Sequence, residues 1–322
     1  MNALSDDGRR TARRAARGAA LLAFAAWCLI AIGALVRAHG AGLSCPDWPL
    51  CTGKLVPAFD ARIALEWGHR VFAGTVSLGL VALAAALVRL PELRARFGVR
   101  LALLFGLLGT QVVLGGLTVL LGLAPWTVTA HLCTGNLFML SLAWLARDLG
   151  GAARGETRAP LAPGLARLVW GVAGLVALQV VLGGLVSSHA AGLACASFPT
   201  CNGDSLAPTL HGLVGLHVLH RLNAYAVALG CAVLAFRLRN AGPIARLGWT
   251  ALRLVLVQIA VGAANVLMQL PVEITALHSA LAAAIVATVG LAVREALAPA
   301  RITQESVARE VAPERPALGA AR

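Results

Sequence analysis

Charged residues are scarce in this sequence. They make up 13% of its 322 residues, whereas hydrophobic residues make up 59% and the mean hydropathy is +0.80. Soluble globular proteins contain about 25% charged residues. The composition therefore excludes an ordinary water-soluble protein and indicates an integral membrane protein.

Long apolar runs, in contrast, fill most of the chain. A helix needs about 20 apolar residues to cross the ~30 Å hydrocarbon core of a bilayer. Eight stretches are long enough, and they lie approximately at 19–38, 67–88, 101–123, 128–146, 168–188, 214–236, 249–268 and 274–293. The sequence therefore predicts an all-α integral membrane protein with eight transmembrane helices, which places both termini on one side of the lipid bilayer.

The two ends of the chain differ from its middle. Residues 1–18 are charged and precede an apolar run, which is also the pattern of a signal peptide, but the run has full spanning length and no convincing small-residue cleavage site. We therefore expect an uncleaved first helix. Residues 295–322 are rich in Ala, Pro, Arg and Glu without apolar periodicity, and this predicts a disordered tail.

Acidic residues are about half as frequent as basic residues, with 14 against 27. Of the basic residues, 22 lie in the N-terminal segment, in the connections near 89–100, 147–167 and 237–253, and in the tail. Cytoplasmic flanks of membrane spans are enriched in Lys and Arg. We therefore expect a multi-pass protein of the cell membrane with both termini cytoplasmic and with loops 39–66 and 189–213 external. The net charge of +13 then reflects topology, and nucleic-acid binding is a poor explanation of it.

The second half of the chain repeats the first. The matched pairs, 147 to 151 positions apart, are Cys45 and Cys195, Cys51 and Cys201, His69 and His220, Gln111 and Gln258, Gly115 and Gly262, and His131 and His278. This predicts two tandem, pseudo-symmetric four-helix bundles, at 19–147 and 168–294, joined by a cytoplasmic linker at 148–167. Because each unit has an even number of spans, the axis relating the two should run along the membrane normal.

Four histidines lie within about two turns of the outer ends of the even-numbered spans. His69 and His131 fall in the first predicted bundle, and His220 and His278 in the second. A lone membrane histidine is equally well explained by packing, but two imidazoles facing each other across a bundle can bind heme iron from both sides. A zinc or copper site needs several ligands in a small volume, and neither half offers a third partner at that depth. The pattern predicts two heme sites.

Two arginines and one glutamate stand beside these histidines. Arg70 and Arg221 directly follow His69 and His220, where a guanidinium could pair with a heme propionate or extend to lipid headgroups. Glu66 shares a helical face with His69, but its counterpart in the repeat is His217. This difference indicates that only the first half performs chemistry requiring a base or a charge stabiliser. A solvated glutamate at the helix entrance is the alternative.

The seven cysteines divide into two groups. Three lie in predicted spans and are interpreted as packing residues: Cys28, Cys133 and Cys231. The other four form two Cys-x5-Cys pairs in the external loops: Cys45 with Cys51, and Cys195 with Cys201. An oxidising exterior permits a disulfide in each pair, while thiol exchange or metal delivery is the alternative. His39 and His189 precede the pairs, either as interfacial polar residues or as additional metal ligands.

Four elements of the sequence stand in a fixed order: Arg37, Gly42-Leu43-Ser44-Cys45-Pro46-Asp47-Trp48-Pro49-Leu50-Cys51, Glu66-Trp67-x-His69-Arg70, and His220-Arg221 after the second cysteine pair. Together they resemble heme A synthase of the bacterial type with paired loop cysteines, over approximately residues 19–294. His39 and His189 depart from the resemblance, because the family more often has a small hydroxylic residue there.

The resemblance implies an enzyme that oxidises a methyl group of heme O to a formyl group in two successive hydroxylations, supplying heme A to terminal oxidases. It implies that His220 and His278 bind the iron of a resident heme b cofactor. The same resemblance assigns His69, His131 and a catalytic Glu66 to the substrate heme site. It also implies heme O, heme O synthase and an electron-transfer protein as partners.

Two other classes of function fit parts of the pattern. A di-heme b-type electron-transfer cytochrome would hold both hemes permanently and alter no porphyrin, but Glu66 has no counterpart in the second half. A membrane thiol oxidoreductase would use the cysteine pairs but would leave four matched histidines unexplained. Pigment extraction with and without heme O separates the first two classes, because heme A appears only with the synthase.

The arginine distribution makes a direct topological prediction. Reporter fusions after Lys54 and Asp204 should behave as external, and fusions after Arg94, Arg154 and Arg239 as cytoplasmic. Paired alkaline phosphatase and fluorescent-protein fusions measure this. A cytoplasmic signal at Lys54 would overturn the whole orientation.

Overall fold

The computed structural model describes residues 4–156, 160–203 and 205–297. Over these residues it has a short 3-10 helix at Ala191–Leu193 and eight long helices: α1 (Asp6–Ala38), α2 (Ala61–Val88), α3 (Pro91–Leu120), α4 (Pro125–Arg154), α5 (Pro163–Ser188), α6 (Gly212–Leu238), α7 (Pro243–Leu267) and α8 (Val272–Ala296). All eight are long and apolar enough to cross a membrane. The predicted all-helical membrane fold with eight spans is confirmed.

Proline and short polar residues define the helix starts. Four helices begin with a proline, α3, α4, α5 and α7, a position where the missing N–H costs no hydrogen bond. Asp60 caps α2 by accepting the N–H groups of Arg62 and Ile63 at 2.8 and 2.9 Å. These local signals are independent of the apolar pattern that identified the spans.

The helices extend beyond the predicted spans on their arginine-rich side. α1 begins at Asp6, where the hydroxyl of Ser5 accepts the N–H of Gly8 at 3.0 Å, so most of the segment 1–18 is helical and continuous with the first span. α4 continues to Arg154 and ends at Gly155, whose φ is 66°. Arginine and alanine are good helix formers, so the apolar run marks the membrane-embedded part rather than the end of the helix. The predicted disordered tail lies outside the described residues from position 298 onward.

The eight helices form two apolar cores. α1 to α4 pack together around buried side chains such as Leu80, Phe97 and Leu142. α5 to α8 pack around Val169, Leu234 and their neighbours, with Cys231 fully buried among them. We call α1 to α4 the first unit and α5 to α8 the second unit. Their pseudo-symmetry and the rotation axis that should relate them stay predictions.

The two units meet along α8. Trp27 of α1 donates its indole N–H to the carbonyl of Ala280 at 2.8 Å, and Trp144 of α4 donates to the carbonyl of Gly290 at 2.7 Å. A β-carbon added to Gly290 would lie 2.3 Å from a methyl of Leu140. A side chain at this position would require Leu140 to move, so the glycine favours the close approach that small residues give membrane helices.

An ion-pair network closes the same seam at the arginine-rich end. The buried Asp148 of α4 pairs with Arg100 of α3 and accepts from Arg294 of α8 at 2.8 Å. Next to it, Arg147 of α4 pairs with Glu295 of α8 at 2.8 Å. A carboxylate from the first unit therefore binds a guanidinium of the second, and an arginine from the first binds a carboxylate of the second.

Removing the buried charge should weaken this seam. Asp148→Asn keeps the size of the side chain but leaves two guanidinium groups around a neutral amide, at an expected cost of about 1–3 kcal/mol. The detergent-solubilised variant should melt several degrees lower than the unaltered protein in a thermal shift assay.

Glu156→Gln is the matched control, because Glu156 pairs with Arg147 and Arg154 at 2.8 and 2.5 Å in a more exposed position. Arg154 and then Arg147 lower the pKa of Glu156 to about 2, so its contribution is present at neutral pH and is lost only as the pH falls toward that value. An exposed pair contributes about 1 kcal/mol or less. Equal melting temperatures for the two variants would contradict the role given to Asp148.

Candidate functional site

The four predicted histidines lie near one end of the even-numbered helices: His69 in α2, His131 in α4, His220 in α6 and His278 in α8. His69 and His131 are close enough to interact electrostatically, and so are His220 and His278. The structure thus brings together the two histidines that the sequence places in the same half of the chain.

Each of these rings packs against a glycine of the preceding helix. A β-carbon built on that glycine would lie 3.0 to 3.3 Å from the Cε1 atom of the ring. The contacts are Gly33 with His69, Gly115 with His131, Gly183 with His220, and Gly262 with His278. A larger residue would push the imidazole away, so glycine lets the ring lie on the bare backbone of its neighbour. The sequence analysis gave these glycines no function, although the pair Gly115 and Gly262 was visible in the repeat.

Glutamines stand one turn before three of those glycines. The Nε2 atom of Gln111 lies 3.3 Å from Nε2 of His131, and the Nε2 atom of Gln258 donates to the carbonyl of His278 at 3.0 Å. Gln179 contacts His220 in the same way. The recurring Gln-x3-Gly spacing in α3, α5 and α7 is the signal that could have identified these residues from sequence alone.

The ring nitrogens are chemically suited to iron. Among the described residues, the Nδ1 atoms of His69, His131 and His278 are buried without a hydrogen-bond partner. A buried polar atom is costly unless it is hydrogen bonded or binds a metal. No group of three or more His, Cys, Asp or Glu side chains comes together in the part of the chain that the structure describes. Paired imidazoles are therefore the available donor set, and their chemistry would suit the iron of a heme.

The loops that follow α1 and α5 contain the two predicted disulfides. Cys45 bonds to Cys51 and Cys195 to Cys201, with Cα atoms 4.5 and 4.6 Å apart. The first loop is tightened by Asp47, whose carboxylate accepts the N–H groups of Thr52 and Gly53 at 2.6 and 2.7 Å. These hydrogen bonds, chiefly the one from Gly53, hold the pKa of the Asp47 carboxyl below its usual range. Each loop is thus closed by its own disulfide, as the sequence predicted.

The guanidinium of Arg70 fills the first disulfide loop. It donates to the carbonyls of Cys45, Asp47 and Leu50 at 2.9, 2.8 and 2.7 Å, and to the Glu66 carboxylate at 2.6 Å. Both terminal nitrogens of the arginine are therefore engaged by protein. The sequence did not predict these hydrogen bonds. A contact between Arg70 and a heme propionate would have to form in addition to them.

Arg221 occupies the same place in the second loop. It donates to the carbonyls of Thr200 and Cys195 at 3.1 and 2.9 Å, and its Cζ atom lies 5.7 Å from the centre of the Phe198 ring. The residue one turn before it is His217, whose Nδ1 lies 3.0 Å from the carbonyl oxygen of Ala191. The second loop thus holds a similar arginine without a carboxylate at that position.

Glu66 is buried, with 5% of its surface exposed. One oxygen pairs with Arg70, and the other accepts the N–H of Cys45 at 3.2 Å. The alternative of a solvated glutamate at the helix entrance is therefore wrong. The carboxylate is fixed between the disulfide loop and the turn of α2 that carries His69.

His39 and His189 have a simpler role in the structure. Each follows the last residue of its helix, α1 or α5, and places Nδ1 within 2.9 to 3.0 Å of the carbonyl of the residue four positions earlier. Polar side chains that bind the last carbonyls of a helix satisfy acceptors that have no partner within the helix. This geometry favours interfacial polar residues over additional metal ligands.

The structure is that of a multi-pass helical membrane protein with two pairs of histidines in its even-numbered helices. The family comparison agrees with this class. A family model described as cytochrome oxidase assembly protein, COX15-CtaA, matches residues 16–289. The chain belongs to this family.

Its relatives carry a more specific name. A heme A synthase of Symbiobacterium thermophilum is 34% identical, over 72% of this chain and 74% of its own. Heme A synthases of Methylobacterium radiotolerans and Shewanella oneidensis are 30% and 28% identical, over 80% and 81% of this chain and 83% and 90% of theirs.

The arginine in the first loop should protect its disulfide. Arg70→Lys replaces a planar group with several donors by a single ammonium that cannot reach all four acceptors. We expect dithiothreitol to reduce Cys45–Cys51 ~10-fold faster, the factor that corresponds to about 1.4 kcal/mol. Timed alkylation followed by peptide mass spectrometry measures the rate.

Cys195–Cys201 in the same molecules is the internal control and should keep its rate. Arg221→Lys should give the opposite pattern. Similar reduction rates for both disulfides in each variant would show that the arginines do not hold the loops.

Proposed function

We propose that this protein is a heme A synthase, a membrane heme-dependent oxidoreductase. It oxidises a methyl group of heme O to a formyl group by successive hydroxylations and supplies heme A to terminal cytochrome oxidases. The observation that carries the proposal is the presence of two pairs of half-buried imidazoles, one of them beside a fixed, buried carboxylate. The heme A synthases that match most of this chain support it.

The resident cofactor is heme b, held by His220 and His278 of the second unit. When bound, the heme supplies one-electron and oxygen chemistry that amino-acid side chains do not provide. What the protein contributes there is the apolar surroundings, the glycine surfaces that seat both rings and the amides of Gln179 and Gln258. No carboxylate occupies the position of His217, which suits a site that holds its heme without altering it.

The substrate heme O belongs to the first unit, at His69 and His131. Glu66 provides a negative charge one turn from His69, held by Arg70 and by the backbone of the disulfide loop. Of the two roles open to this carboxylate, the ion pair favours stabilisation of developing positive charge, because one of its oxygens is already occupied by a guanidinium. Arg70 and Arg221 lie where they can also reach the propionates of the two hemes.

The orientation of the protein follows from the same proposal. Both termini are cytoplasmic and the disulfide loops are external, as the arginine-rich ends of the helices and the oxidised cysteines support. Both histidine pairs then lie toward the external half of the membrane. A heme O synthase delivers the substrate, and an electron-transfer protein is the redox partner.

The two units should respond differently to equivalent lesions. His220→Ala or His278→Ala removes a ligand of the resident heme, so the purified protein should lose most of its heme b. Glu66→Gln keeps size and hydrogen bonding but removes the charge, so heme b should remain while heme A production falls by ~10² or more. His69→Ala or His131→Ala should spare heme b and impair the conversion. Pyridine hemochrome spectra and chromatography of extracted hemes measure both quantities.

His217→Gln is the matched control for Glu66→Gln, because it changes the same position in the second unit. It should leave heme A production within about twofold of the unaltered protein. Normal heme A production by Glu66→Gln, or loss of the same pigment from the His69 and His220 variants, would contradict the proposal. Retention of two hemes without any heme A would instead identify a di-heme cytochrome.

A further inference from the structure

A chain of side-chain hydrogen bonds connects α6 to α5 beside His220. The buried Asn223 donates to the carbonyl of Leu175 at 3.0 Å and to Oε1 of Gln179 at 2.7 Å. The Nε2 atom of Gln179 in turn donates to the carbonyl of His220 at 3.1 Å, and it lies 3.2 and 3.4 Å from the two nitrogens of the imidazole. The network therefore fixes both the backbone and the ring of this histidine.

The first unit lacks this network. By position relative to the glycine and the histidine, the counterpart of Gln179 is Leu29 and the counterpart of Asn223 is Phe72. Both side chains pack against the first apolar core, and neither can donate or accept a hydrogen bond. His69 accordingly has an Nδ1 atom without a partner.

The difference is confined to one histidine of each pair. Gln111 and Gln258 stand at equivalent places beside His131 and His278, so both units keep the amide on α3 or α7. Only the histidines of α2 and α6 have different surroundings. A general loss of polar residues from the first unit does not explain the pattern.

Hydrogen-bond partners of a metal-binding histidine fix its orientation and raise its basicity, and their loss typically costs about 10- to 100-fold in metal affinity. The amides of Gln179 and Asn223 are themselves anchored, because each donates to a main-chain carbonyl, that of His220 or that of Leu175. The network therefore restricts the orientation of the His220 ring. Leucine and phenylalanine offer nothing equivalent to His69.

We propose that Gln179 and Asn223 are positioning residues that hold His220 as a permanent iron ligand, and that Leu29 and Phe72 leave His69 as a ligand that releases its heme. The inference rests on the proposed function, in which the second unit keeps heme b and the first exchanges substrate for product. The same fold thus contains one retaining and one releasing site, distinguished by two residues in each.

The loss of the network is tested with Gln179→Met and Asn223→Leu, which keep the approximate shapes and remove the hydrogen bonds. In the full-length protein, transfer of heme b to excess apomyoglobin should become about 10- to 100-fold faster. The reduction potential and the g values of the ferric heme should also change, because the imidazole is no longer held in one orientation. A variant that keeps both disulfides and the elution volume of the unaltered protein is folded. Either single variant suffices for the test.

The gain of the network is tested with Leu29→Gln combined with Phe72→Asn. Protein purified from cells that make heme O should then retain a second heme, and transfer of that heme to apomyoglobin should be slower than from the unaltered first unit. Unchanged transfer rates, potentials and g values in the Gln179 and Asn223 variants would overturn the positioning role. An unchanged heme content in the Leu29 and Phe72 variant would overturn the releasing role of the first unit.

The outcomes separate this inference from the function on which it rests. If His220→Ala retains heme b, the second unit is not the resident site and the proposed function fails. If His220→Ala loses heme b while Gln179→Met leaves its transfer rate, potential and g values unchanged, only the positioning role fails.

Discussion

The close approach of glycine backbone to imidazole is the constraint on which the rest of the structure depends. At four places an odd-numbered helix presents a residue without a side chain, and a histidine ring of the next helix lies against it. This contact sets the spacing of each helix pair and the depth of each histidine. Lipid offers no partner for an imidazole, so the rings point toward the interior of the bundles. The chemistry of the protein follows from which groups each ring meets there.

The two disulfide loops share one arrangement and differ at one position. Each is closed by a disulfide and filled by an arginine that binds its carbonyl oxygens. In the first loop a buried carboxylate joins this arrangement, and in the second a histidine bound to a backbone carbonyl takes its place. The shared parts maintain the loop, so a single exchanged residue can change the charge beside one histidine without disturbing the fold.

Much of this architecture was predictable because the signals were local or repeated. Hydropathy identified all eight spans, and the repeat matched His69 with His220 and Cys45 with Cys195. Hydropathy could not show that α1 begins at Asp6, since a helix continues wherever its residues favour it, in water or in lipid. The partners of Arg70 and the burial of Asp148 were equally out of reach, because they depend on how separate segments approach one another. The glycine and glutamine positions were visible in the repeat but had no meaning until the neighbouring rings were placed.

The contacts of α8 have a consequence for how the protein is assembled. By sequence this helix belongs to the second unit, yet it receives two tryptophan hydrogen bonds and an ion pair from the first. The first unit leaves the ribosome and enters the bilayer earlier, so its indoles and Asp148 form a template onto which the last helix docks. The position of α8, which carries His278, therefore depends on contacts from the first unit. The duplicated units have become one cooperative body, and neither half on its own contains all the contacts that its helices require.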